Sequence, residues 1–253
     1  MILEQIKRFS NQISHWLPES DCLLCYAPIS PNAKSSILCH QCIERLPMLS
    51  NGCKVCAMPI SDIHSQESDR VCGECLSHAP FYHQTISSFH YESPVSHLIG
   101  GIKFNSKFQF IPLLTQHLVE RIATSYKDKN YPDVILPVPL HKTKLKKRGF
   151  NQSQLIANYL AIQLKEKYEL SIPVDIKLAK RVRNTLPQTT LDAKARKKNL
   201  RNAFSIESSL PKTIALVDDV ITTGTTVNEL SKQLIKSGCQ EVHIWTLARA
   251  FSI

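Results

Sequence analysis

The sequence predicts an α/β protein, a mainly parallel sheet flanked by helices, with a small metal-binding module at its N-terminal end. Three observations carry that expectation. From about residue 84 onward, apolar runs of strand length alternate with helix-length segments, the order that builds parallel sheets. One of these runs, Ile214-Ala-Leu-Val, delivers two adjacent carboxylates, Asp218 and Asp219, into the Thr/Gly-rich turn Thr222-Thr223-Gly224-Thr225-Thr226. Eight of the nine cysteines form four C-x2-C pairs before residue 80: Cys22/Cys25, Cys39/Cys42, Cys53/Cys56 and Cys72/Cys75.

Residues 1–19 read as one amphipathic helix. Ile2, Ile6, Phe9, Ile13, Trp16 and Leu17 fall at helical spacing before Pro18, and Lys7 and Arg8 are the only lysine or arginine on it, which favours docking on the protein's own body over a lipid surface. The start Met1-Ile-Leu-Glu-Gln-Ile-Lys-Arg lacks the uninterrupted apolar region of a secretory signal, and no run of about 18 apolar residues exists, so a cytoplasmic protein without an integral membrane segment is expected.

Residues 20–80 hold the paired cysteines. Without a secretory signal, such pairs point to metal rather than disulfides. Cys22-Leu-Leu-Cys25-Tyr-Ala-Pro28-Ile29-Ser30 aligns with Cys53-Lys-Val-Cys56-Ala-Met-Pro59-Ile60-Ser61, and each copy is followed by its second pair after 13 or 15 residues. Two copies of one module imply two tetrahedral zinc sites of four thiolates each. An interleaved cross-brace, joining pairs one with three and two with four, is the alternative and needs longer loops closed across each other. His40, His64 and His78 lie nearby, but four cysteines already complete each site. With every ligand from protein, both zincs are structural. Cys239, outside the pairs, reads as a small buried residue.

Residues 84–253 form the α/β domain. Strands are expected near 85–91, 133–137, 175–179, 203–206, 213–217 and 241–248, and helices near 94–103, 110–124, 151–167, 192–199 and 226–237. Ligands of open α/β sheets collect at the carboxyl ends of strands, where Asp218 and Asp219 leave the apolar run. Paired carboxylates there suit vicinal sugar hydroxyls and attract a divalent cation. Thr222, Thr223, Gly224, Thr225 and Thr226 supply backbone N–H groups and hydroxyls at a helix N-terminus, which stabilises phosphate. Thr226 and Glu229 have capping-box spacing, placing the helix start at the end of the loop.

The formal net charge of +10 is concentrated: residues 137–205 carry 16 Lys/Arg against 4 Asp/Glu. Lys144, Lys146, Lys147 and Arg148 make one cluster, and Lys197, Lys198 and Arg201 belong to a second. Two clusters exceed what a small pyrophosphate needs and suit a longer anion, with nucleic acid the obvious choice. Aromatic residues are sparse in this stretch, so base stacking is not legible from it.

The run from Ile214 to Thr226 resembles the ribose-phosphate signature of type I phosphoribosyltransferases, which implies binding of 5-phosphoribosyl 1-pyrophosphate (PRPP) with magnesium. Pro139, Leu140, His141 and Lys142 follow a strand where that family keeps its pyrophosphate loop. Arg181-Val-Arg183-Asn-Thr185-Leu-Pro187-Gln188, with Arg196 and Asn199, resembles the loop covering the site in the amidophosphoribosyltransferase branch, making Arg181, Arg183 and Arg196 the catalytic candidates. A basic run replaces the small acidic-Ser-Gly turn of that branch, and no glutaminase half with an N-terminal cysteine nucleophile is present. With the double zinc ribbon, Phe89-His-Tyr91-Glu-Ser-Pro94, Leu98-Ile-Gly-Gly-Ile-Lys103-Phe104 and Arg148-Gly149-Phe150-Asn151-Gln152, the chain resembles the competence protein F family across nearly its whole length. That resemblance implies a role in natural transformation, acting on incoming single-stranded DNA in the cytoplasm, in some bacteria alongside a DNA translocase. Two other classes are open: an active phosphoribosyltransferase with an unknown acceptor, and a PRPP-sensing regulator.

Overall fold

A computed structural model of the chain describes residues 21–29, 37–50, 52–60, 70–183 and 203–251. The expected helices over 1–19 and near 192–199 lie outside the described residues. The chain divides into two compact units, Met1–Leu46 and Pro47–Ile253.

In the first unit the backbone turns sharply after Cys22. Tyr26 N–H donates to the Cys22 carbonyl and Cys22 N–H to the Ala27 carbonyl, both at 2.8 Å. Tyr26 is left-handed at φ 59°, and helix α1 (His40–Glu44) starts directly after Cys39. The second unit opens on the same construction. Ala57 N–H donates to Cys53 and Cys53 N–H to Met58, both at 2.7 Å; Ala57 sits at φ 56°; helix α2 (Gly73–Ser77) follows Cys72. The repeat in the sequence is therefore a repeat of backbone geometry.

The rest of the second unit is a four-stranded parallel sheet in the order β1-β6-β5-β2, with β1 Gln84–His90, β2 Val134–Pro137, β5 Thr213–Ile221 and β6 Glu241–Arg249. Central β6 is buried from Val242 through Arg249, as expected of a strand covered on both faces. On one face Val242, Ile244, Ile214, Leu216, Val134 and Leu136 form a core with Leu230 and Leu234 of α7 (Thr225–Lys236). Cys53, Cys56 and Cys75 join that core, so the second ribbon is built into the sheet's own packing. On the other face the alternating residues His243 and Trp245 meet Tyr126, directly after α4 (Phe110–Ser125), while α6 (Gln152–Tyr168) lies against β5 and β2. Burial of each Leu or Ile side chain here stabilises by about 1.5–3 kcal/mol.

Several elements differ from the sequence-based expectation. The strand expected at 175–179 is displaced: Val174 makes only an isolated bridge to Ile135, and β3 (Ala179–Arg181) pairs antiparallel with β4 (Phe204–Ile206) as a separate ribbon. The strand expected at 213–217 continues to Ile221, because β6 offers a partner for the whole length: Asp218 faces Thr246 and Ile221 faces Arg249. The basic run after His141 is helix α5 (Lys142–Arg148), closed by Gly149 at φ 85°. Ahead of it, α3 spans Val95–Asn105.

Candidate functional site

The carboxylates lie inside β5 rather than beyond it, which corrects their expected position in a turn. Asp219 is buried at 4% exposure, and its Oδ2 is 2.6 Å from Lys103 Nζ in the last turn of α3. Asp218 Oδ1 accepts hydrogen bonds from Ser153 Oγ at 2.9 Å and from Asp219 N–H at 3.0 Å. Burial raises the Asp218 pKa, opposed by Lys103, the Ser153 hydrogen bond and Arg181. Burial likewise pushes Lys103 down to about 8, with Asp218 opposing the shift and Arg148 adding to it. A Lys–Asp–Asp cluster thus sits at the carboxyl end of the sheet, with Lys103 and Asp218 each opposing the shift that burial imposes on the other.

At the end of β5, Asp218 within the strand and Thr222, Gly224, Thr225 and Thr226 after it line a polar pocket of about 30 Å³. Thr223 and Thr225 hydroxyls are 2.8 Å apart. The helix start expected from the Thr226–Glu229 spacing comes earlier, so Thr226 is not the N-cap. Gly224 is the N-cap in left-handed conformation with no side-chain cap, the helix begins at Thr225, and Glu229 accepts from Gln233. Gly224 suits its place through its φ of +74°, and a Cβ there would come within 3.3 Å of the Tyr82 hydroxyl, a tight contact.

The Pro139-Leu140-His141 stretch leaves β2 beside β5, with Val138 N–H donating to the Val217 carbonyl at 2.9 Å. His141 caps α5, its Nδ1 accepting from Thr143 N–H at 3.3 Å, and Lys142 is exposed on the first turn. Lys146 and Lys147 are exposed, whereas Lys144 and Arg148 are half-buried. The Arg-Gly-Phe-Asn-Gln segment is a joint between two helices. Arg148 donates to Gln152, Gly149 turns the chain, and Asn151 caps α6 by accepting from Ser153 N–H while donating to the Val138 carbonyl, both at 3.1 Å. It therefore ties the basic helix to the residue that holds Asp218. Arg181 ends β3, with burial lowering its pKa and Asp218 opposing. Arg183 is exposed; Arg196, Lys197, Lys198 and Arg201 lie outside the described residues.

The cysteines gather as Cys22, Cys25, Cys39, Cys42 and as Cys53, Cys56, Cys72, Cys75, with the four sulfurs of each set within 4.8 Å of one another. Consecutive pairs share a site, so the cross-brace is excluded. Cys25–Cys39 and Cys56–Cys72 sulfurs are 3.6 Å apart, close to the edge of about 3.8 Å of a tetrahedron with zinc–sulfur bonds of 2.3 Å. The donor set and its spacing fit zinc. His40 and His78 lie against Glu44 and Glu74 at 3.4 and 3.6 Å, while His64 is outside the described residues. Cys239 is buried apart from both sets, donating to the Lys212 and Glu241 carbonyls.

Sequence reasoning left Arg249 unmarked. At 6% exposure it donates from Nε to the Cys56 carbonyl at 2.9 Å, and from its Nη1 to Ile221 at 3.0 Å, to Thr222 and to Ala250 at 2.6 Å. One guanidinium thus fastens the second ribbon to the start of the phosphate-type loop. A cavity of about 950 Å³ runs between them, lined by Cys72, His78, Phe81, Tyr82, Thr223 and Lys232 among others. The available signal was a lone cation inside an apolar strand, as it was for Lys103 inside an apolar helix.

The match to known proteins agrees with this geometry. Residues 13–76 match the double zinc ribbon domain and residues 113–251 the phosphoribosyl transferase domain. The chain is 36% identical over 227 residues to competence protein F of Haemophilus influenzae, covering 84% of this chain and 96% of that one. The chain belongs to the competence protein F family. Within that family it is also 30% identical over 231 residues to DNA utilization protein YhgH of Escherichia coli K12, covering 90% of this chain and 96% of the relative. Competence protein ComFC of Bacillus subtilis is 23% identical over 265 residues, covering 95% of this chain and all of the relative. Among the described residues no helix is long and apolar enough to cross a membrane.

Proposed function

We propose that this chain acts in natural transformation, handling incoming single-stranded DNA in the cytoplasm, and that it keeps a pocket for PRPP or a related ribose phosphate. The names of its relatives, competence proteins and a DNA utilization protein, support the first part. The observation that carries the reading is the Arg148–Gln152–Ser153–Asp218 connection, which builds the basic helix and the acid pair on one continuous piece of scaffold. Asp218 and Asp219 receive the ribose hydroxyls, and Thr222 to Thr226 receive the 5-phosphate. The Pro139–Lys142 stretch lies where pyrophosphate would sit. Magnesium supplies charge neutralisation on the phosphates when it enters with PRPP. Lys144, Lys146, Lys147 and Arg148, with Lys197, Lys198 and Arg201, hold the DNA backbone. Two zincs hold the ribbons structurally, and a DNA translocase is the expected protein partner.

Phosphoribosyl transfer is the second reading, favoured by the burial of Arg181 within electrostatic reach of Asp218. It would use Arg181, Arg183 and Arg196 to stabilise departing pyrophosphate.

One experiment separates the two halves of the proposal. Asp218→Ala with Asp219→Ala, in protein confirmed folded by its circular dichroism because Lys103 loses its partner, abolishes PRPP or ribose 5-phosphate binding by calorimetry, since each charge-assisted hydrogen bond removed contributes roughly 1.5–3 kcal/mol. Neutralising Lys144, Lys146, Lys147 and Arg148 instead lowers transformation frequency and flattens the dependence of log K on log salt for single-stranded DNA by about 0.7 for each phosphate no longer neutralised. Parental transformation by an expressed basic variant overturns the DNA role and leaves transfer as the leading reading.

A further inference from the structure

The last turn of α3 sends neighbouring residues in opposite directions. Lys103 goes inward to Asp219, and Phe104 goes outward, 76% exposed. The chain then turns through Ser106 at φ 51° and presents Lys107 and Phe108, the latter 38% exposed. Phe108 meets Phe150 edge-on, with ring centroids 4.8 Å apart at 90°. The Arg148 guanidinium lies 5.4 Å from the Phe104 ring. Two neighbouring phenylalanines and a third more than forty residues later are thereby gathered beside α5. Their separation along the chain hid them: the 137–205 stretch contains only Phe150 of the three.

Exposed apolar rings grouped on a surface mark a binding site. What binds is decided by the charge around them. Residues 103–108 and 142–150 together contain seven Lys or Arg and no Asp or Glu. A polyanion with flat apolar faces complements such a surface, and a paired duplex does not, because its bases are stacked on one another.

We propose that Phe104, Phe108 and Phe150 form a nucleobase-stacking platform, on which bases of single-stranded DNA lie while Lys107, Lys146 and Lys147 hold the flanking phosphates. The proposal rests on the DNA-handling reading above and adds to it that the bases themselves are gripped. Stacking on aromatic side chains is indifferent to sequence, because every base has a π-face. It suits a protein receiving DNA of any sequence. Lys103, pinned to Asp219, fixes the end of α3 and hence the position of the platform relative to the sugar-phosphate pocket.

The test compares a thymidine 15-mer with an abasic 15-mer of equal phosphate count, by fluorescence anisotropy on the full zinc-loaded chain. The parent binds the thymidine strand more tightly. Phe104→Ala weakens thymidine binding by about five- to 150-fold, leaves abasic binding unchanged and leaves the salt slope unchanged; Phe104→Trp restores it. Adding Phe108→Ala brings the two strands to equal affinity. Phe104 is largely exposed, so its single variant keeps the test valid should the Phe108 variant unfold. Equal affinity of the parent for both strands overturns the platform and leaves the DNA reading standing. Binding of neither strand overturns both.

Discussion

Lys103 is the residue on which the site's electrostatics turn. Its side chain is 19% exposed, and the side chain of its Asp219 partner 6%, so neither charge is well served by water. Removing one member of such a pair costs about 3–5 kcal/mol, because the survivor is left uncompensated. Lys103→Met should therefore destabilise the protein by that amount in urea denaturation, and Lys103→Met with Asp219→Leu should recover most of it. The pH dependence has a definite sign. Burial lowers Lys103 to about 8, whereas the unfolded chain keeps that proton to about 10.5. Between these values the unfolded state binds more protons, so stability rises with pH across that window. The penalty of Lys103 is fully present below about 8. The rise should shrink in Lys103→Met when denaturation curves are compared at pH 7, 8, 9 and 10. Nothing in Leu98-Ile-Gly-Gly-Ile-Lys103-Phe104 marks the lysine as the partner of a residue more than a hundred positions later. The acids were legible because they follow an apolar run and precede a Gly/Thr turn; their partner was not, because pairing across elements needs the fold.

At the scale of elements, the regular strands and long helices were readable from periodicity, and the short pieces were not. α5 is seven residues, five of them Lys or Arg, and presents no apolar stripe to read. β3 has three residues, too few to show alternation, whereas β4, equally short, falls where a strand was expected near 203–206. The capping box misled because a T-x-x-E match predicts a cap from spacing alone, whereas Gly224 in left-handed conformation already starts α7. Gly224→Ala should cost about 1–2 kcal/mol for that conformation. It should also weaken ribose 5-phosphate binding, since the new Cβ meets Tyr82; adding Tyr82→Phe should restore part of the affinity and none of the backbone cost. The two thiolate sets were legible, as repeated spacing leaves few ways to arrange thiolates. Elemental analysis should find two zincs per chain, with the eight paired thiols resisting alkylation until a chelator is added. A ratio of one zinc per chain would refute the two-site assignment.

At the scale of the whole molecule, family membership and fold agree, yet the sequence-based description treated ribbon and sheet as successive parts. Cys53, Cys56 and Cys75 share a core with β2, β5, β6 and α7, and Arg249 bridges Cys56 to Ile221 and Thr222. Arg249 stood out only as a lone cation in an apolar strand; its acceptors are carbonyl groups, which carry no sequence signal, so the joining itself was not legible. The strand order β1-β6-β5-β2 has a further consequence, for the order of synthesis. On the ribosome, Glu241–Arg249 emerges after every other strand, yet it occupies the middle of the sheet between β1 and β5. Until then β1 has waited some 150 residues without the strand it pairs with, its edge open to other partners. Stalled chains ending at residue 240 should be digested rapidly by a nonspecific protease. Chains extended so that residue 251 clears the exit tunnel should acquire resistance in one step, with the guanidinium of Arg249 closing on the Ile221 and Thr222 carbonyls as the final act of folding.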